Sequence, residues 1–174
     1  MALTWTKPTA SELSAYQKKY IDLVPDGDLN LILENNFQSA LKLVSDLSNE
    51  KLNFRYASGK WCIPEIMIHI CDCERIFVYR ILCIARGDKT PLPGFDENNY
   101  AKNSNASERN FTEILNEFRS VRNATLSLLK SLNEKNILNK GISNSTEISV
   151  QQIAYMLAGH ELHHLNVIKQ KYLS

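Results

Sequence analysis

Apolar residues recur at three- and four-residue intervals along most of this chain, and alternating strand-like runs flanked by hairpin turns are nearly absent. The pattern predicts an all-α protein. A short N-terminal helix over residues 10–23 ends at Pro25-Asp26-Gly27. Asp28 then caps a first long helix that runs to about Leu47, with Leu29, Ile32, Leu33, Phe37, Leu41 and Val44 on the side that faces a core. Residues 49–61 form a connection. A second long helix holds Pro64 in its first turn, where the missing N–H has no helical partner to lose, and continues to Arg86 before stopping at Gly87. A third runs from Ser107 or Asn110 to Asn133, with Phe111, Leu115, Phe118, Val121, Leu126 and Leu129 as its apolar positions. Residues 141–147 are a turn or a short extended excursion, and the capping box Ser149-Val150-Gln151-Gln152 opens a fourth helix that runs almost to the C-terminus.

Four helices of about 20–25 residues, each with one apolar stripe, imply a four-helix bundle with an extra short N-terminal helix. The stretch from Asp88 to Ala106, about 19 residues without a clear element, is longer than a compact fold normally tolerates. It has a use if helices two and three point the same way. The chain must then travel back along the bundle, about 33 Å for a 22-residue helix, and 19 extended residues can cover about 60 Å. A long crossover is therefore expected between helices two and three. Tyr155, Ala158, Leu162, Leu165 and Leu173 form a second apolar strip on the fourth helix, to be covered by the N-terminal segment or by a second subunit.

Length and composition narrow the picture. The 174 residues suit one domain, residues 1–174, that can fold without staples. A balance of 20 basic and 19 acidic residues gives +1, no field for nucleic acid or anionic membranes. Residues 1–13 contain no signal-like apolar region and no later run is long enough to span a bilayer, so a soluble, cytoplasmic protein is expected. Cys62, Cys71, Cys73 and Cys83 have neither C-x-x-C spacing nor the dispersion of a disulfide framework, and read as small apolar helix residues.

Chemistry concentrates near the end, where His160, Glu161, Leu162, His163 and His164 hold three of the four histidines. His160 and His164 stand one helical turn apart, about 5–6 Å between Cβ atoms, a spacing that lets two imidazoles share one ion. Both fall inside the apolar stripe with Ile153, Met156 and Val167, and His163 lies at its edge. The remaining histidine, His69, sits on the core-facing side of the second helix beside Ile66, Cys73, Ile76 and Ile84. A lone inward histidine is usually a satisfied core residue; three facing one interior make a half-open site with a fourth position free, the layout of catalytic zinc. Nickel, iron or manganese also suit three imidazoles. Asp72, Glu161 and His163 are candidates to orient the ligands, against the plainer reading of Asp72 and Glu161 as a solvated helix face. Arg80, on the row of His69 and Cys73, needs a carboxylate partner or an anionic ligand, and a structural ion pair is the first expectation.

The run also spells H-E-x-x-H, the signature of zinc proteases. That reading requires a further ligand downstream and an edge strand for the peptide. Only ten residues follow His164, none of them His, Asp or Glu, and no sheet is expected.

The combination of Trp61-x-x-x-Glu65, His69, Asp72, Glu74-Arg75, Tyr79-Arg80 and Ala85-Arg86-Gly87-Asp88, then residues 91–97 and the run from Ala158 to Leu165, closely resembles the DinB/YfiT-like family of metalloenzymes over nearly the whole chain. The resemblance implies a four-helix bundle with non-sequential connections. It implies a divalent ion, zinc or nickel, on His69, His160 and His164, and a homodimer. It also implies an enzyme acting on a small molecule, either a hydrolase or an S-transferase that uses a low-molecular-weight thiol. Cys62, Cys71 and Cys73 depart from the family pattern without touching the ligands. The opposing class is a non-catalytic metal-binding or interaction bundle.

Overall fold

The structure is a computed structural model describing residues 3–173. Its four long helices begin and end where local chemistry supplies the missing hydrogen bonds. Helix α1 (Ala15–Ile21) comes first, capped by Ser14 after a 3-10 turn at Ala10–Glu12. Helix α2 (Leu29–Val44) starts at Asp28, whose Oδ1 accepts from the Leu31 amide at 2.9 Å. After the short α3 (Asn49–Asn53), helix α4 (Ile63–Ala85) opens with Pro64 in its first turn and Glu65 accepting from the Cys62 amide at 2.7 Å. It closes at Gly87, whose φ of 84° is a left-handed conformation that glycine adopts without a steric penalty. Helix α5 (Glu97–Asn103) and a 3-10 turn at Ala106–Glu108 lead to α6 (Phe111–Lys130), capped by Asn110. The short α7 (Glu134–Leu138) precedes strands β1 (Lys140–Ser143) and β2 (Thr146–Ser149), and the reciprocal Ser149–Gln152 capping box opens α8 (Val150–Lys171).

The core fills the space between the long helices in two tiers. Leu29 and Leu33 of α2, Ile81 and Ile84 of α4, Leu126 and Leu129 of α6 and Val150 and Ile153 of α8 share one tier. Phe37 and Val44, Ile63 and Met67, Ile114 and Phe118, and Leu165 and Ile168 share the other. Hence α4 and α6 run in one direction and α2 and α8 in the other. The chain must cross back between α4 and α6, and Ala106, at the far end of the crossing, is buried in the tier of Met67. This is the expected long crossover, but α5 and the 3-10 turn give it structure of its own.

Two further details differ from the sequence reading, and a third decides between alternatives it left open. The N-terminal helix is the short α1, covering only part of residues 10–23. Residues 140–149 form a true antiparallel hairpin, pairing Lys140 with Ser149 through Ser143 with Thr146, with Asn144 and Ser145 at positive φ in the turn. Leu92 joins its edge, donating to the Ile142 carbonyl and accepting from the Asn144 amide, both at 2.9 Å. The second apolar strip of α8 is covered by the same chain, since Tyr155 donates to the Trp5 carbonyl at 3.4 Å and α1 packs along the helix. Gly159 is required there: a Cβ would collide with the Tyr20 carbonyl oxygen. The strip thus gives no argument for a second subunit. Among the described residues, no helix is long and apolar enough to cross a membrane.

One cation joins all four long helices. Arg122 of α6 is 1% exposed and donates to both carboxylate oxygens of Glu74 on α4, at 2.9 and 2.8 Å. It also donates to Glu161 on α8 at 3.0 Å and to the Leu33 carbonyl on α2 at 2.5 Å. Replacing Arg122 by Met is expected to cost about 3–5 kcal/mol in urea unfolding, because two buried carboxylates lose their partner. The triple change Arg122→Met, Glu74→Leu, Glu161→Leu should recover most of that loss.

Candidate metal centre

Because α4 and α8 are antiparallel, the first turns of α4 meet the later turns of α8. His69 therefore faces His160 and His164, although 91 residues separate His69 from His160. The Nε2 atoms of His69 and His160 are 3.1 Å apart, those of His160 and His164 3.2 Å, and nitrogens of all three lie within 4.8 Å of one another. Two imidazole nitrogens about 2.05 Å from one zinc stand about 3.3 Å apart at the tetrahedral angle. The spacing therefore fits a single ion. Burial, reinforced by the neighbouring imidazoles, lowers the pKa of His160 to about 3 and pushes that of His164 below its ordinary range. Burial also lowers His69 to about 4, with His163 adding to the effect. All three are neutral at pH 7 and bring their Nε2 atoms together at one point. Their own N–H groups cannot satisfy every one of these contacts, whereas one cation can.

Aromatic rings hold the imidazoles in place. Trp61 lies 4.7 Å from the His69 ring and stacks on His164 at 6.5 Å, and Phe77 meets His160 edge-on at 5.9 Å. Tyr20, brought in by α1, packs against both His160 and His163. Cys73 Sγ is 3.6 Å from His69, but burial pushes its thiol up to about 12, so it is a neutral wall atom near pH 7. The histidines open into a cavity of about 470 Å³, within the usual size range of small-molecule sites.

The remaining sequence candidates separate. His163 lines the cavity, partly buried, its pKa lowered by burial and then by Lys19. Glu161 is not on a solvated face: it is 1% exposed and paired with Arg122, and burial pushes its carboxyl up to about 7 against the pull of that guanidinium. Its helical position, about 100° from His160, sends it to the bundle interior. Asp72 is also diverted, pairing at 3.4 Å with Arg75, which in turn holds Glu117 at 2.7 Å. Arg80 is 7% exposed and lines the cavity, but the expected structural ion pair is absent among the described residues; its Nη2 donates to the Pro93 carbonyl at 2.7 Å. Sequence reasoning passed over Arg122, whose signal was an arginine beside Val121 within an apolar stripe. It also missed Tyr20, for which α1 offered no signal at all.

A family description, the DinB superfamily, matches residues 32–168. A curated protein of Oceanobacillus iheyensis, provisionally named a metal-dependent hydrolase, is 30% identical over 128 residues, which is 72% of this chain and 73% of that one. The solved structure of YfiT from Bacillus subtilis, described as a probable metal-dependent hydrolase with an unusual four-helix bundle topology, aligns with a TM-score of 0.74 over 95% of this chain and 91% of its own. At 17% identity that likeness speaks for the fold. With more than half of its length matched by the family and a relative at this level of identity, the chain belongs to the DinB superfamily.

Proposed function

We infer that this protein is a metal-dependent hydrolase of a small molecule, with His69, His160 and His164 holding one divalent ion, zinc or nickel. The observation that carries this reading is the convergence of three neutral imidazoles at one end of an open cavity. When bound, the ion supplies Lewis acidity and a nucleophile activated at neutral pH. The chain's own residues do the rest. Trp61 and Phe77 fix the imidazole rings. His163, neutral at pH 7 and on the cavity wall, accepts a proton at its ring nitrogen. Glu161 takes no part as a base, being spent on Arg122.

A second chemistry, transfer to a low-molecular-weight thiol, has one observation in its favour. Behind Trp61, His163 and His164 lies another recess of about 250 Å³, lined also by Tyr56, Lys60 and Tyr172, so that two reactants have room on either side of the histidines.

Purified wild type is expected to carry about one equivalent of metal and His164→Ala a small fraction of that, read by elemental analysis; equal content in the two would refute the trio. Chelation should abolish turnover in a screen of simple esters, amides and thiol conjugates. His163→Ala should keep the metal and lose turnover by about 10²-fold, in line with general-base removal. Metal retained by the wild type with no turnover in any arm would mark a binding module.

The depressed histidine pKa values also set a pH dependence. A histidine of ordinary pKa, about 6.5, is about thirtyfold depleted in its neutral form at pH 5. Here the folded values of about 4 for His69 and about 3 for His160 leave those ligands neutral at that pH, and His164 is shifted in the same direction. Metal affinity, measured by chelator competition, should stay within about tenfold between pH 7 and pH 5. A loss on the order of ten thousandfold, the product of three such depletions, would show that the ligands titrate normally.

A further inference from the structure

Arg80 stands eleven residues beyond His69 on α4, on the same face and about 16 Å farther along the axis. Its guanidinium has five donors. One goes to the Pro93 carbonyl, and no carboxylate among the described residues lies within ion-pair distance. The cavity's own carboxylate, Glu97, is exposed and does not pair with it. Burial accordingly lowers the Arg80 pKa, opposed by the nearby Cys73 and Tyr16. A buried cation without a counter-charge is costly, and an anion entering from the cavity removes the cost. Between Arg80 and the histidines the two long helices contribute apolar side chains, Phe77 from α4 and Met156 and Ile153 from antiparallel α8, while Gln17 and Ser143 are among the polar residues that line the same cavity. The hairpin closes the Arg80 end, since Leu92, next to Pro93, is hydrogen-bonded to Ile142 and Asn144.

We propose that Arg80 is the specificity-determining anchor of the site, so that the substrate is a small monocarboxylate whose head meets Arg80, whose apolar middle runs between Phe77 and Met156, and whose reacting group reaches the histidine end. The proposal rests on reading that end as the reaction centre. A single guanidinium balances one negative charge and matches a carboxylate bidentately. A doubly charged phosphate would leave excess negative charge in the same place.

Calorimetric titration of metal-free protein with hexanoate, hexanamide and hexyl phosphate tests the anchor without involving the ion. Wild type is expected to bind hexanoate at least tenfold more tightly than either analogue. Arg80→Gln should lose at least tenfold for hexanoate with hexanamide unchanged, Arg80→Lys should recover part of the loss, and the thermal midpoint of Arg80→Gln should match or exceed that of the wild type. Hexanoate binding unaffected in Arg80→Gln, or hexanamide as tight as hexanoate on wild type, overturns the proposal; tighter hexyl phosphate overturns the choice of carboxylate. If Arg80→Gln does not fold, the three ligands on wild type decide. Absence of metal or turnover in the wild type would sink the hydrolase reading and leave these affinities untouched.

Discussion

The position of every long helix is referred to the Arg122 guanidinium. Hydrophobic stripes bring four helices together, but apolar packing tolerates sliding and rotation far better than a forked cation does. Arg122 takes Glu74 with two donors, Glu161 with another and the Leu33 carbonyl with a third direction, so each helix has one allowed height and one allowed face. Such a cluster is weak support for stability as such, since desolvating three charges offsets most of their attraction. Its effect is on registry. Glu161 is the neighbour of His160, and Glu74 lies five residues beyond His69, so the setting of the cluster is also the setting of the histidines.

That coupling explains why a site made of so few residues can be rigid. The two helices that bear the three histidines share an apolar tier above and below them, and the rings of Trp61, Phe77 and Tyr20 fill the remaining freedom of the imidazoles. Part of the wall comes from less regular pieces: the crossover, which delivers Gly94 and Phe95, and the hairpin, which delivers Ser143 and Asn144. Altering those pieces would change what enters the cavity while the three histidines stay on helices.

Much of this was legible in the chain because the relevant signals are local. Asp28, Pro64, Gly87 and Ser149 mark helix ends by backbone chemistry that any reader of the sequence can apply. Two inward histidines one turn apart declare a shared face. What was not legible depends on angles and partners outside the local window. The hairpin was hidden because its turn is built on Asn144 and Ser145 rather than a glycine pair. The fate of Glu161 turned on Arg122, 39 residues away, and that of Asp72 on Arg75 and Glu117. The strip on α8 was correctly read as buried, but only the approach of Tyr20 to Gly159 told which surface buries it.

The parallel setting of α4 and α6 has a consequence for how the chain reaches its native state. A crossover must be drawn along the whole bundle before α6 can dock, and α8, which follows all the other described elements, carries two of the three inward histidines. Contacts separated by 91 residues close late and slowly compared with neighbouring helices. Until they close, no partly folded form presents more than a one-turn histidine pair, which is a poor trap for a metal. An ion that needs all three imidazoles would therefore bind only the finished bundle, and its capture would report that α8 has docked.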